Sequence, residues 1–74
     1  MNEYEILLED INPCGGEQYA KKVFLEAEAD SPEAYIASHD RWPILEQSAL
    51  PDGSAVIVTG DGKGNVHRYT FTEI

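Results

Sequence analysis

The sequence predicts a two-layer α+β domain: a four-stranded, mainly antiparallel sheet with one helix on one face, in the order β-β-α-β-β. Three observations carry this expectation. Two alternating runs near the N-terminus are separated by a glycine-containing segment. A capped helical stretch follows them. Two β-branched and aromatic runs then flank the glycine-rich stretch "GDGKGN" at 60–65.

The first run, "EYEILLEDI", places Tyr4, Ile6 and Leu8 on one side and Glu3, Glu5, Leu7 and Glu9 on the other. That is the period of a strand with one buried and one acidic face. "NPCGGEQ" interrupts it with Asn, Pro and paired Gly, and "YAKKVFLEAEA" resumes the alternation. Val23, Leu25, Ala27 and Ala29 share one side of this second run, and Lys22, Phe24, Glu26 and Glu28 share the other. The two runs form a hairpin with a loop longer than a tight turn.

"DSPEAYIASHDRW" carries a helix start: Asp30 or Ser31 caps, Pro32 suits the first turn, and Glu33 favours the positive end of the dipole. Pro43 pushes Trp42 out of helical conformation, so the helix is expected to stop near Arg41 and to lay Ala34, Tyr35, Ala37 and Ser38 on the sheet. "WPILEQSALPDG" is expected to be a connector with room for a short helical turn at 44–48. "SAVIVT" is the most apolar strand and the candidate for a central position, and "VHRYTFT" is the fourth strand by its β-branched and aromatic content.

One helix cannot cover a four-stranded sheet. The face left open then carries Glu3, Glu5, Glu9, Glu26 and Glu28, with Leu7 and Phe24 embedded among them. An acidic sheet face with apolar residues in it is a plausible interaction surface.

The bulk numbers bound the function classes. The 74 residues make one small domain, 1–74. A chain this size buries only about 60–65% of the surface its unfolded form exposes, which leaves little room for a deep cavity. Fourteen Asp and Glu against five Lys and Arg give a net charge of −9. Residues 1–37 hold nine of the acids against Lys21 and Lys22, so −7 of that charge lies there. Phosphate backbones and anionic membrane surfaces both need a basic footprint, so direct nucleic-acid and membrane binding are disfavoured. A basic protein surface would be attracted, and surplus acid also serves plain solubility. A single cysteine makes no internal disulfide, no run approaches the ~20 apolar residues of a membrane span, and the N-terminus has no signal-peptide pattern. The expected address is the cytoplasm.

The chemistry-bearing residues give weak signals. Cys14 sits among Pro13, Gly15, Gly16 and Glu17, and an acidic neighbourhood raises a thiol pKa instead of activating it. Cys14, His39 and His67 are the good zinc ligands, but they are 25 and 28 residues apart, without a paired-ligand motif. "DGKGN" at 61–65 resembles the start of a calcium loop, yet Lys63 holds the second ligand position and Thr72 the twelfth. It fails the phosphate-loop pattern because Ile57 stands where the first glycine should, and the dinucleotide fingerprint because no helix follows. The carboxylate pairs Glu3/Glu5 and Glu26/Glu28 lie on an open sheet, where solvation leaves little reason for catalytic tuning. Trp42 reads first as a lid over the sheet edge, and second as an interface anchor beside Arg41. His67, Tyr69 and Phe71 share one strand face, which is core if it points inward and binding surface if it points outward. Without basic neighbours it makes a poor platform for single-stranded nucleic acid.

The expected function is protein–protein binding without catalysis and without cofactor or metal, through Glu3, Glu5, Leu7, Glu9, Phe24, Glu26, Glu28 and Trp42. One alternative is a nucleic-acid mimic whose carboxylates occupy a partner's basic groove. A second is a small-ligand binder or enzyme using Cys14 with His39 or His67. An exposed sheet edge also permits a homodimer.

Overall fold

The structure, a computed structural model, describes residues 2–11 and 21–74. In chain order they form β1 (Asn2–Ile11), β2 (Lys21–Ala29), α1 (Pro32–His39), β3 (Ile44–Ala49), β4 (Ala55–Gly60) and β5 (Val66–Glu73). The strands join one antiparallel sheet in the spatial order β2-β1-β5-β4-β3. The α+β class holds. The expected four-stranded sheet and β-β-α-β-β order do not: the described residues form five strands, and their order is β-β-α-β-β-β.

The added strand is β3, in the stretch expected to be a connector with a helical turn. "ILEQSA" does not alternate, and all six of its residues are exposed, so it carries no periodic signal of its own. Its partner and its turn make it a strand. β4 would otherwise leave a row of N–H and C=O groups unpaired along its outer edge. The Pro51-Asp52-Gly53 turn folds the chain back on it: Gly53 N–H donates to Leu50 C=O at 3.1 Å, and Leu50 N–H donates to Ser54 C=O at 2.8 Å. Gly53 adopts φ +90°, a left-handed conformation that favours glycine. The Asp52 carboxylate closes the turn by accepting from the Ser54 N–H at 2.9 Å and the Ser54 hydroxyl at 2.6 Å. β4 is an interior strand as expected of the most apolar run, but the middle of the sheet is β5, with β1 and β4 on either side.

The β1–β2 hairpin follows the alternation, with Ile6 opposite Leu25 and Tyr4 opposite Ala27 on one face. Its loop and Cys14 lie outside the described residues. α1 starts as its sequence dictates, with Ser31 Oγ accepting from the Ala34 N–H at 3.1 Å and Pro32 in the first turn. It ends at His39, earlier than Arg41, because Asp40 leaves helical geometry and turns its carboxylate toward the sheet. Tyr35 and Ile36 are the buried pair on α1, and the expected contacts Ala37 and Ser38 are exposed. With only two turns, the helix brings one bulky pair onto the sheet and turns the next residues outward.

That pair completes the core: Tyr4, Ile6, Ala29, Tyr35, Ile36, Ile57, Tyr69 and Phe71 are buried together. Phe71 lies edge-on to Tyr4 at 5.8 Å and to Tyr35 at 5.7 Å, the T-shaped arrangement that aromatic quadrupoles favour. The face of β5 that carries His67, Tyr69 and Phe71 therefore points inward. Among the described residues, nothing packs over the opposite face of the sheet.

Candidate binding face

The open face is built by register. β1 and β2 pair so that Glu3 lies opposite Glu28, Glu5 opposite Glu26, Leu7 opposite Phe24 and Glu9 opposite Lys22. Side chains directly opposite in an antiparallel pair are close neighbours, and like charges there repel. Two such Glu–Glu pairs stand in succession on this face, and no ion pair reaches any of the four among the described residues. Beside them Phe24 is 70% exposed, with Leu7 half-buried between it and Thr70 of β5. A phenyl ring so exposed gains nothing from the core.

Glu9 shares the face and has a different fate. Only 6% of it is exposed, and its carboxylate is gripped by Arg68 as a fork, Nε to Oε1 at 3.0 Å and Nη2 to Oε2 at 2.8 Å. These hydrogen bonds hold the Glu9 carboxyl below its ordinary range against the opposing pull of burial. Glu9 is thus neutralised inside the sheet surface and separates two regions. On one side is the acidic hairpin. On the other, Val58 and Arg68 with Ile11, Leu45, Glu46 and Val66 line a shallow hollow of about 370 Å³. Leu45 leans over Gly60, where a Cβ would come within 2.5 Å of its Cδ1, so a side chain there would displace Leu45.

Trp42 is not on this face. Its ring stacks on His67, with centroids 4.2 Å apart and planes 13° apart, at the end of α1 on the helix-bearing side. That is the lid arrangement, and it parts Trp42 from the acidic residues. Beneath it lies a cluster centred on Asp40, whose side chain is only 4% exposed. Oδ1 accepts from the Trp42 N–H at 2.9 Å; Oδ2 accepts from Thr59 Oγ1 at 2.8 Å, Tyr69 OH at 2.8 Å and His67 Nδ1 at 3.0 Å. A carboxylate oxygen only accepts, so the His67 proton sits on Nδ1. Burial pushes the Asp40 carboxyl up, but these donors outweigh it and bring it down to about 2. Burial, and then the hydrogen bond to Asp40, hold the Tyr69 phenol well above its ordinary value.

The Asp40–His67 pair has the form of the acid–histidine half of a relay. Its other nitrogen, Nε2, faces another carboxylate, Asp10 Oδ1, at 3.8 Å. The cluster ties the end of α1 to β4 and β5. His39 turns elsewhere: it stacks on Tyr35 at 4.1 Å, and its Nδ1 lies 3.0 Å from the Tyr35 carbonyl. The two histidines thus have separate partners. Among the described residues, no three His, Cys, Asp or Glu side chains are grouped to hold a metal. The calcium-like stretch is a turn in which Asp61 accepts from the Lys63 N–H at 2.7 Å and Asn65 Nδ2 at 2.8 Å. No helix among the described residues is long and apolar enough to cross a membrane.

Sequence reasoning missed Asp40, Thr59 and Arg68. A signal for Asp40 was present: a carboxylate just past a helix C-terminus opposes the dipole, so a compensating partner was to be expected. Thr59 and Arg68 had no such signal, since only the β1–β5 and β4–β5 registers bring them to their partners. The chain matches no known protein family, no curated protein and no solved structure.

Proposed function

We propose that this protein acts by binding a basic protein partner through the outer face of the β1–β2 hairpin. The observation that carries the reading is the register: Glu3 against Glu28 and Glu5 against Glu26, beside an exposed Phe24. Directly opposed carboxylates weaken a sheet, so a fold that keeps two such pairs retains a surface that a cationic partner would relieve. Phe24 supplies the apolar anchor that such a contact needs, and Leu7 the floor beneath it. The nucleic-acid-mimic form of this reading is narrower, because Glu9 is already held by Arg68 and leaves four carboxylates for a partner's groove.

The test is retention from a native lysate at low salt by the wild-type protein, by Phe24→Ala and by the double variant Glu5→Lys/Glu26→Lys. A basic protein held by the wild type, released by moderate salt and lost with both variants is the expected result. Equal retention by all three would refute the face as the binding site.

A further inference from the structure

We infer that β2 is a self-complementary edge, and that a second copy of this chain pairs with it as an antiparallel two-fold dimer. This concerns the edge of the sheet, and it draws on Phe24, Glu26 and Glu28 of the face proposed above for a partner.

Among the described residues, the sheet ends in β2 on one side and β3 on the other. Open edges invite strand addition, and folded proteins blunt them with short strands, prolines and bulges. β3 has all three protections. It is six residues long, Pro43 and Pro51 stand near its ends, and a register irregularity between Ile44 and Glu46 disturbs its ladder. β2 has none of them: it runs nine residues without proline, in unbroken register with β1.

The charges on β2 decide what it accepts. Lys21 and Lys22 stand at its start, and Glu26 and Glu28 toward its end. A parallel copy would set lysine beside lysine and glutamate beside glutamate. An antiparallel copy reverses this. With Leu25 opposite its own symmetry mate, all nine residues pair, and Lys22 of each chain meets Glu28 of the other on the outer face. Phe24 then meets Glu26, while Val23 meets Ala27 and Leu25 meets Leu25 on the helix-bearing face, extending the apolar side of the sheet. Val23 is 46% exposed, so this pairing covers apolar surface that the single chain leaves in water. The interface is the same patch on both subunits, so it closes as a dimer, and the guarded β3 edges stop further growth.

The test is sedimentation equilibrium of the wild type, of Lys22→Glu, and of the charge swap Lys22→Glu/Glu28→Lys. Both positions are exposed, and circular dichroism checks that each variant is folded. The expected result is a wild-type dimer, a dissociation constant raised roughly tenfold or more in Lys22→Glu, and a dimer restored by the swap. A wild type that stays monomeric at its highest soluble concentration overturns the inference. So does a dimer indifferent to both variants, which would place the contact on another surface.

Discussion

Asp40 stands at the C-terminal end of α1, where the helix dipole is unfavourable to a carboxylate, yet it accepts four hydrogen bonds and is almost wholly buried. Its folded-state value of about 2 lies below its ordinary 3.8, so its contribution is complete above 3.8 and is lost as pH falls through that interval. The depression corresponds to about 2 kcal/mol. Asp40→Asn should lower stability by about that amount at neutral pH in urea unfolding, and its gap to the wild type should close as pH falls through the same window. A gap that persists in acid would show that shape, and not charge, holds the cluster. At the Glu9–Arg68 fork the two partners are unequally buried, the Glu9 side chain being 9% exposed and the Arg68 side chain 32%. Removing the cation strands the more buried charge, so Arg68→Met should cost about 3 kcal/mol and Glu9→Gln about 1. Thermal unfolding of the two variants separates them, and equal losses would contradict the asymmetry.

At the scale of elements, the β1–β2 hairpin sets stability against a retained surface. If its opposed carboxylates are kept for a partner, replacing one should strengthen the fold while weakening binding. Glu26→Lys turns the Glu5–Glu26 repulsion into an attraction, and should raise stability by about 0.5 kcal/mol while reducing retention of the partner. A destabilised Glu26→Lys variant would mean that the pair is not strained. The hairpin was legible because its alternation and its burial agree along the first half of β1, where Tyr4 and Ile6 lie inward and Glu3 and Glu5 outward; the buried Glu9 and the exposed Val23 depart from it. β3 was not legible, because an edge strand with every residue exposed has no hydrophobic period to read. Its signal lay in the Leu50–Ser54 turn. Pro followed by Asp-Gly marks a hairpin as strongly as it marks a connector's end.

Across the whole molecule, charge and layering divide the surface into unlike faces. One short helix covers a single face of a five-stranded sheet, and its Tyr35 and Ile36 join the core that includes Ile6, Ile57 and Phe71. The other face grades from the four glutamates of the hairpin, through the Glu9–Arg68 fork, to the hollow beside Val58 and Leu45. A net charge of −9 on so small a domain disfavours unspecific self-association. The paired ends of β2 offer a route past that repulsion, because Lys22 of each copy meets Glu28 of the other.

What the sequence by itself determined is local: which side of β1 and β2 is apolar, where α1 begins, and that the acid is concentrated toward the N-terminus. Side-chain period and capping chemistry act over a few residues, so they can be read without knowing the fold. Only the tertiary structure decided what depends on residues far apart in the chain. It drew "ILEQSA" into the sheet because β4 had an unpaired edge. It buried Glu9 because the β1–β5 register set Arg68 opposite it. It folded Trp42 over His67, gathered Thr59, His67 and Tyr69 around Asp40, and so left the hairpin carboxylates and Phe24 as the open surface.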